Sequence, residues 1–101
     1  MNILESMSQL NDVVTSNDNV IIKFGASWCG PCRHLKPVLE SSSFEAIYDA
    51  DVETGDLKEG LIGLGFRSVP VTAFYKGGEL VYTKVGTYKE EELQQMINKN
   101  F

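Results

Sequence analysis

The chain has 101 residues, 43% hydrophobic and 23% charged, a usage that fits a single folded domain over residues 1–101 and excludes a disordered tract. Nine Lys and Arg against 14 Asp and Glu leave a net charge of −5, which repels a phosphate backbone and argues against nucleic acid as a direct partner. No segment approaches the roughly 20 apolar residues that span a bilayer, and the amino end lacks the basic and apolar regions of an export signal, so the expectation is a cytoplasmic protein with no membrane attachment.

Ile3, Leu4, Met7, Leu10 and Val14 recur at spacings of three and four and predict an amphipathic helix over about 4–16, closed by the polar stretch SNDN. VIIKFGA, from Val20 to Ala26, is an apolar run of strand length whose only charge is Lys23, as expected for a strand covered on both faces. The stretch SWCGPCRH, Ser27 to His34, then holds both cysteines of the chain. Leu35, Val38 and Leu39 fall on one side of the segment that follows, and Pro31 stands where a helix's first turn tolerates proline, so a helix is predicted to begin at the cysteines. Pro37 has no N–H to give the carbonyl of Arg33 and is expected to kink that helix.

FEAIYDADV reads as a second buried strand, and DLKEGLIGLGF as a short helix through Leu57, Leu61 and Leu64 that Gly65 ends. VTAFY and ELVYTKV are strands joined by Lys76, Gly77 and Gly78, whose paired glycines suit a tight antiparallel hairpin. KEEELQQMINKNF closes the chain as a helix with Leu93, Met96 and Ile97 on one stripe and acids in its first turn. The predicted order is α, β, α, β, α, β, β, α. That order implies an α/β fold of three layers, α/β/α, with a central mixed sheet flanked by helices.

Three chemistries compete for the cysteine pair. A structural bridge between Cys29 and Cys32 closes so small a loop that it restrains the unfolded chain little. A tetrahedral metal site needs four ligands, and the candidates stop at Cys29, Cys32 and His34, so no metal is expected. Dithiol exchange is the reading the spacing favours. At the amino end of a helix, free N–H groups and the positive end of the dipole stabilise a Cys29 thiolate, the nucleophilic form. One turn on, Cys32 can attack the mixed disulfide and release the substrate.

WCGPC after a buried strand, with Pro37 in the following helix, resembles the thioredoxin family. FRSVPV around Pro70, the FYKGGEL hairpin and VGTYKEEEL resemble later segments of that family in the same order, from Val20 to nearly the end of the chain. The resemblance implies a thiol-disulfide oxidoreductase that reduces protein disulfides, with no bound cofactor beyond a redox-active Cys29–Cys32 pair. It also implies disulfide-containing protein substrates, a thioredoxin reductase or equivalent electron donor, and a monomer. By position, Cys29 is the attacking thiol and Cys32 the resolving one, while Trp28, Gly30, Pro31, Val69, Pro70 and Gly86 line an apolar substrate groove. An X-Pro bond is cis in only about 5–6% of cases, so the bare sequence predicts a trans Pro70; the resemblance reverses this to cis, with the backbone of Val69 free to pair with substrate.

The chain departs from the family at Lys23, where a buried aspartate is usual. Lys23 is therefore a candidate modulator of thiol ionisation, set against the plainer expectation that its stem packs under the motif while the ammonium reaches water. Gly25 replaces a common aromatic residue and is expected to loosen packing near the pair, and the region from Glu40 to Phe44 looks shortened. His34 is expected to face solvent, and Asp49, Asp51 and Glu53 to be solvated acids rather than a cation site. Two other functions stay in view: a glutaredoxin-like electron carrier, and a redox-independent binding module or accessory subunit that docks through the groove around the motif.

Overall fold

The structure, a computed structural model, describes residues 1–101. In chain order it comprises β1 (Asn2–Leu4), α1 (Met7–Ser16), β2 (Asn19–Gly25), α2 (Gly30–Glu40), β3 (Ile47–Asp51), α3 (Lys58–Gly63), β4 (Val71–Lys76), β5 (Glu79–Val85) and α4 (Glu90–Asn100). The strands form one mixed sheet in the order β1-β3-β2-β4-β5, with β1, β2 and β3 mutually parallel and β4 and β5 antiparallel to their neighbours.

Alternation along β2 sorts the core into two layers. Val20, Ile22 and Phe24 point to the side covered by α1 and α3, where they meet Leu10, Val14, Leu57 and Leu61. Ile21 points to the opposite side, where α2 and α4 supply Leu35, Leu39, Leu93 and Met96. The strand is buried on both faces because it lies at the centre of three layers. Lys23 has the parity of Ile21, so it falls on the α2 and α4 side.

The amino-terminal expectation needs correction: residues 2–4 are an edge strand paired to β3, and the first helix starts only at Met7. Leu4 is buried in the same layer as Leu10 and Val14, so the change from strand to helix leaves the apolar face unchanged and imitates one continuous helical period. Exposed Ile3 betrays the period of two. Ser6 makes the break, its side chain capping α1 by accepting from the Gln9 N–H at 3.2 Å. The third helix is also shorter than the 56–66 expected. It ends at Gly65, with φ of +90°, where the Gly65 N–H reaches the Ile62 carbonyl and the Phe66 N–H the Leu61 carbonyl, a Schellman closure.

α2 begins at the cysteine pair and continues through Pro37 to Glu40. The β4–β5 turn has positive φ at both Gly77 (+59°) and Gly78 (+83°), the type I′ geometry that matches strand twist. α4 carries Glu90, Glu91 and Glu92 in its first turn, and Glu92 accepts from the Lys89 N–H at 3.2 Å.

Candidate functional site

The chain leaves the sheet at the carboxyl end of its central strand, β2, and α2 starts four residues after Ala26, at Gly30. Cys29 is the N-cap of α2: its Sγ accepts from the Cys32 N–H at 3.3 Å, and its carbonyl receives the Arg33 N–H at 3.2 Å. Cys29 and Cys32 are joined as a disulfide, with Cα atoms 5.2 Å apart. This place at the amino end of α2, with the Cys32 N–H directed at the Cys29 Sγ, is one that favours a thiolate once the pair is reduced.

Both cysteines are buried, Cys29 at 5% and Cys32 at 1% exposure; Cys29 adjoins Trp28, which is 65% exposed, and Cys32 lies inside the first turn of α2. Across the rim the Val69 carbonyl stands 3.8 Å from the Cys29 Sγ. The Val69–Pro70 peptide is cis, and Pro70 is buried. Its carbonyl accepts from the Gly86 N–H at 3.0 Å, and Gly86 has φ of +87°, a conformation that favours glycine. The sequence-expected residues Trp28, Gly30, Pro31, Val69, Pro70 and Gly86 are thus held around the pair by α2, the loop before β4 and the turn after β5. Concavities open on both sides of this rim. One of about 420 Å³ is lined in part by Trp28, Leu61, Arg67 and Val69, and one of about 900 Å³ in part by Pro31, His34, Thr87 and Tyr88. His34 is exposed, as expected.

Behind Cys32 the structure corrects the plainer expectation for Lys23. The side chain does not reach water: the residue is 5% exposed, and its Nζ lies 3.2 Å from the Asp49 Oδ1. Snorkelling fails because the sheet sets Lys23 directly opposite Asp49 of β3 on one side and Thr72 of β4 on the other, under α2. Asp49, correspondingly, is an ion-pair partner rather than a solvated acid. The expectation of loose packing at Gly25 fails too, since the space over this glycine is occupied. A Cβ built there would lie 2.9 Å from Lys23 Cε and 3.4 Å from the Cβ and Sγ of Cys32.

Asp49 was read as a solvated acid and Thr72 was passed over, because their place beside Lys23 depends on strand register. The available signal was the lone charge of β2, Lys23, and the two acids Asp49 and Asp51 of β3, in strands otherwise suited to burial. Thr72 Oγ1 and the Tyr88 hydroxyl share a hydrogen bond of 2.7 Å, and burial pushes the Tyr88 phenol up to about 12, an effect that this hydrogen bond partly opposes. No group of three or more His, Cys, Asp or Glu side chains is placed to hold a metal ion, and no helix is long and apolar enough to cross a membrane.

Comparison with known proteins gives one consistent result. The family model described as Thioredoxin matches residues 3–99, which extends the likeness through the amino-terminal strand and helix. Thioredoxin from Bacillus subtilis is 35% identical over 99% of this chain and 99% of its own length. Thioredoxin from Rickettsia typhi is 33% identical over 99% of this chain and 98% of its own. Among solved structures, Plasmodium falciparum thioredoxin superposes with a TM-score of 0.85 at 28% identity, and Fasciola hepatica thioredoxin with 0.87 at 25%, each covering 100% of both chains.

Proposed function

We infer the part played by each residue from one premise: the chain belongs to the thioredoxin family and is a thiol-disulfide oxidoreductase, a reductase of protein disulfides. The observation that carries the assignment of roles is the cysteine pair at the start of α2, with Cys29 as its cap beside exposed Trp28 and Cys32 inside the first turn.

Starting from the reduced pair, the Cys29 thiolate attacks one sulfur of a substrate disulfide. That S–S bond breaks, the departing substrate sulfur takes up a proton, and Cys29 is left in a mixed disulfide. Cys32 then loses its proton, and its thiolate attacks the Cys29 sulfur. The bond from Cys29 to substrate breaks, and the substrate leaves as a dithiol. Two electrons have passed from the pair to the substrate, and the protein is left with the Cys29–Cys32 disulfide seen here. A thioredoxin reductase or an equivalent dithiol donor returns the electrons.

Trp28, Gly30, Pro31, Val69, Pro70 and Gly86 form the substrate groove in this reading. The Val69 carbonyl, 3.8 Å from the attacked sulfur, supports a role in pairing with an extended substrate segment. The substrates are protein disulfides, the working form is a monomer, and the setting is cytoplasmic. In support of a reducing compartment, the chain's two cysteines are both in the exchange pair, leaving none for a separate structural bridge.

The test is a Cys29→Ser, Cys32→Ser double variant, checked for folding by circular dichroism and assayed on a protein disulfide. Folded but inactive protein is the expected result. Retention of the biological task by the folded variant would move the assignment to a redox-independent docking module. Equilibration of the pair with glutathione gives the direction, a potential near the family reference of about −270 mV being expected for a reductant.

A further inference from the structure

Cys32 is 1% exposed, yet the second exchange step requires it to become an anion. A buried thiol does not ionise readily unless nearby charge favours the thiolate. The buried charge beside it is Lys23, whose Nζ lies 3.2 Å from the Oδ1 of half-buried Asp49. Gly25 brings the pair and the thiol together: the missing Cβ of this glycine is within 3.4 Å of both Lys23 Cε and Cys32 Sγ, so the lysine stem and the sulfur border the same gap.

We propose that the Lys23–Asp49 pair, admitted by Gly25, sets how readily Cys32 ionises when it resolves the mixed disulfide. This rests on the exchange chemistry above and adds Asp49 and Gly25 to it. The Lys23 ammonium favours the Cys32 thiolate, whereas the Asp49 carboxylate opposes it and fixes the ammonium in place. None of the three contacts substrate, so they are positioning residues.

Other charges face the same sulfur. A cavity of about 270 Å³ adjoins Cys32, with Arg33 and Lys36 of α2 and Asp51 of β3 also at its walls. Arg33 and Lys36 are exposed and Asp51 is half-buried, so water screens them more than it screens Lys23. On the β4 side, Lys23 is flanked by Thr72, which is engaged with the Tyr88 hydroxyl. The proton leaving Cys32 passes to solvent through the cavity.

The experiment uses the full chain with Cys29→Ser, so that Cys32 alone titrates, and follows thiolate absorbance against pH. Removing the cation by Lys23→Met should lower the thiolate fraction at a fixed pH below the midpoint, and removing the anion by Asp49→Asn should raise it, each by roughly three- to thirtyfold. Opposite signs are the distinguishing result, because loss of a merely structural pair would disturb Cys32 in the same sense from either side. Shifts of the same sign, or none, overturn the proposal. If one single variant does not fold, the Lys23→Met, Asp49→Leu double variant should titrate near the parent, and a large displacement from the parent refutes the idea equally. Wild-type reduction of a protein disulfide is measured alongside. It tests the exchange chemistry itself, and either result can fail without the other.

Discussion

Gly25→Ala adds one methyl group at the most crowded point behind the cysteines. Its Cβ would stand 2.9 Å from Lys23 Cε, inside the distance real Cβ contacts show, while the approaches to Cys32 at 3.4 Å are ordinary contact. The collision is therefore with the lysine alone. The lysine cannot swing aside, because its Nζ is held 3.2 Å from Asp49 and the side chain is enclosed. Overpacking of this kind costs about 1–3 kcal/mol. Replacing glycine also restricts the unfolded chain, which contributes about 0.4–1 kcal/mol in the other direction where the native backbone suits alanine. The net expectation is a loss of about 1–2 kcal/mol, read as a lower urea midpoint with an unchanged slope. In a Lys23→Ala background the obstacle is gone, and the same substitution should be neutral or stabilising. The coupling in this double-mutant cycle should reach about 1–3 kcal/mol. Equal costs in the two backgrounds, within about 0.5 kcal/mol, would refute the view that Gly25 exists to seat the lysine.

Burial pushes the Tyr88 phenol up to about 12 from an ordinary 10, so the fold favours the neutral form. Its contribution is complete below the unfolded value and is lost as pH rises through the folded one. About 2–3 kcal/mol should disappear across that alkaline window, and Tyr88→Phe should remove that part of the loss in urea titrations at stepped pH. An equally steep decline in the Phe variant would exclude Tyr88 as its source; half-buried Tyr75, also raised, contributes in the same sense to both proteins and cancels. Cys32→Ser should leave Cys29 bonded to substrate, visible on a non-reducing gel as a complex the wild type does not accumulate. Prompt release would remove Cys32 from the resolving role. Gly86→Ala meets no neighbour within 4 Å, so its cost is the backbone's, about 1–2 kcal/mol at φ of +87°. Because Gly86 donates to the Pro70 carbonyl, KM for a protein substrate should rise while the ionisation of Cys29 stays put; the reverse pattern would place Gly86 outside the groove.

Most of the fold was legible in local periodicity and turn chemistry. The run VIIKFG announced a doubly buried strand, Gly77 and Gly78 a tight hairpin, and Pro31 a helix opening at the cysteines, all of which are properties of residues near in sequence. The amino-terminal strand was hidden because Leu4 serves the same apolar layer as the helix after it, and a strand of three residues offers only one repeat of its period. The exchange pair was legible because its chemistry needs just two sulfurs at fixed spacing. The charge behind it was legible only by half. Lys23 stood out as a cation in an apolar run, but its partner lies 26 positions later and becomes a neighbour only through the β2–β3 register, which sequence spacing does not encode. The same holds for Thr72 and Tyr88, which meet because β4 and the turn before α4 converge over the sheet.

The place of Cys29 as cap of α2 beside exposed Trp28 has a kinetic corollary. In the exchange sequence proposed above every outside partner bonds to Cys29, so the donor that recharges the pair and the target that discharges it must queue at a single doorway. Turnover should follow ping-pong kinetics, and a large excess of oxidised target should slow its own reduction by crowding out the donor.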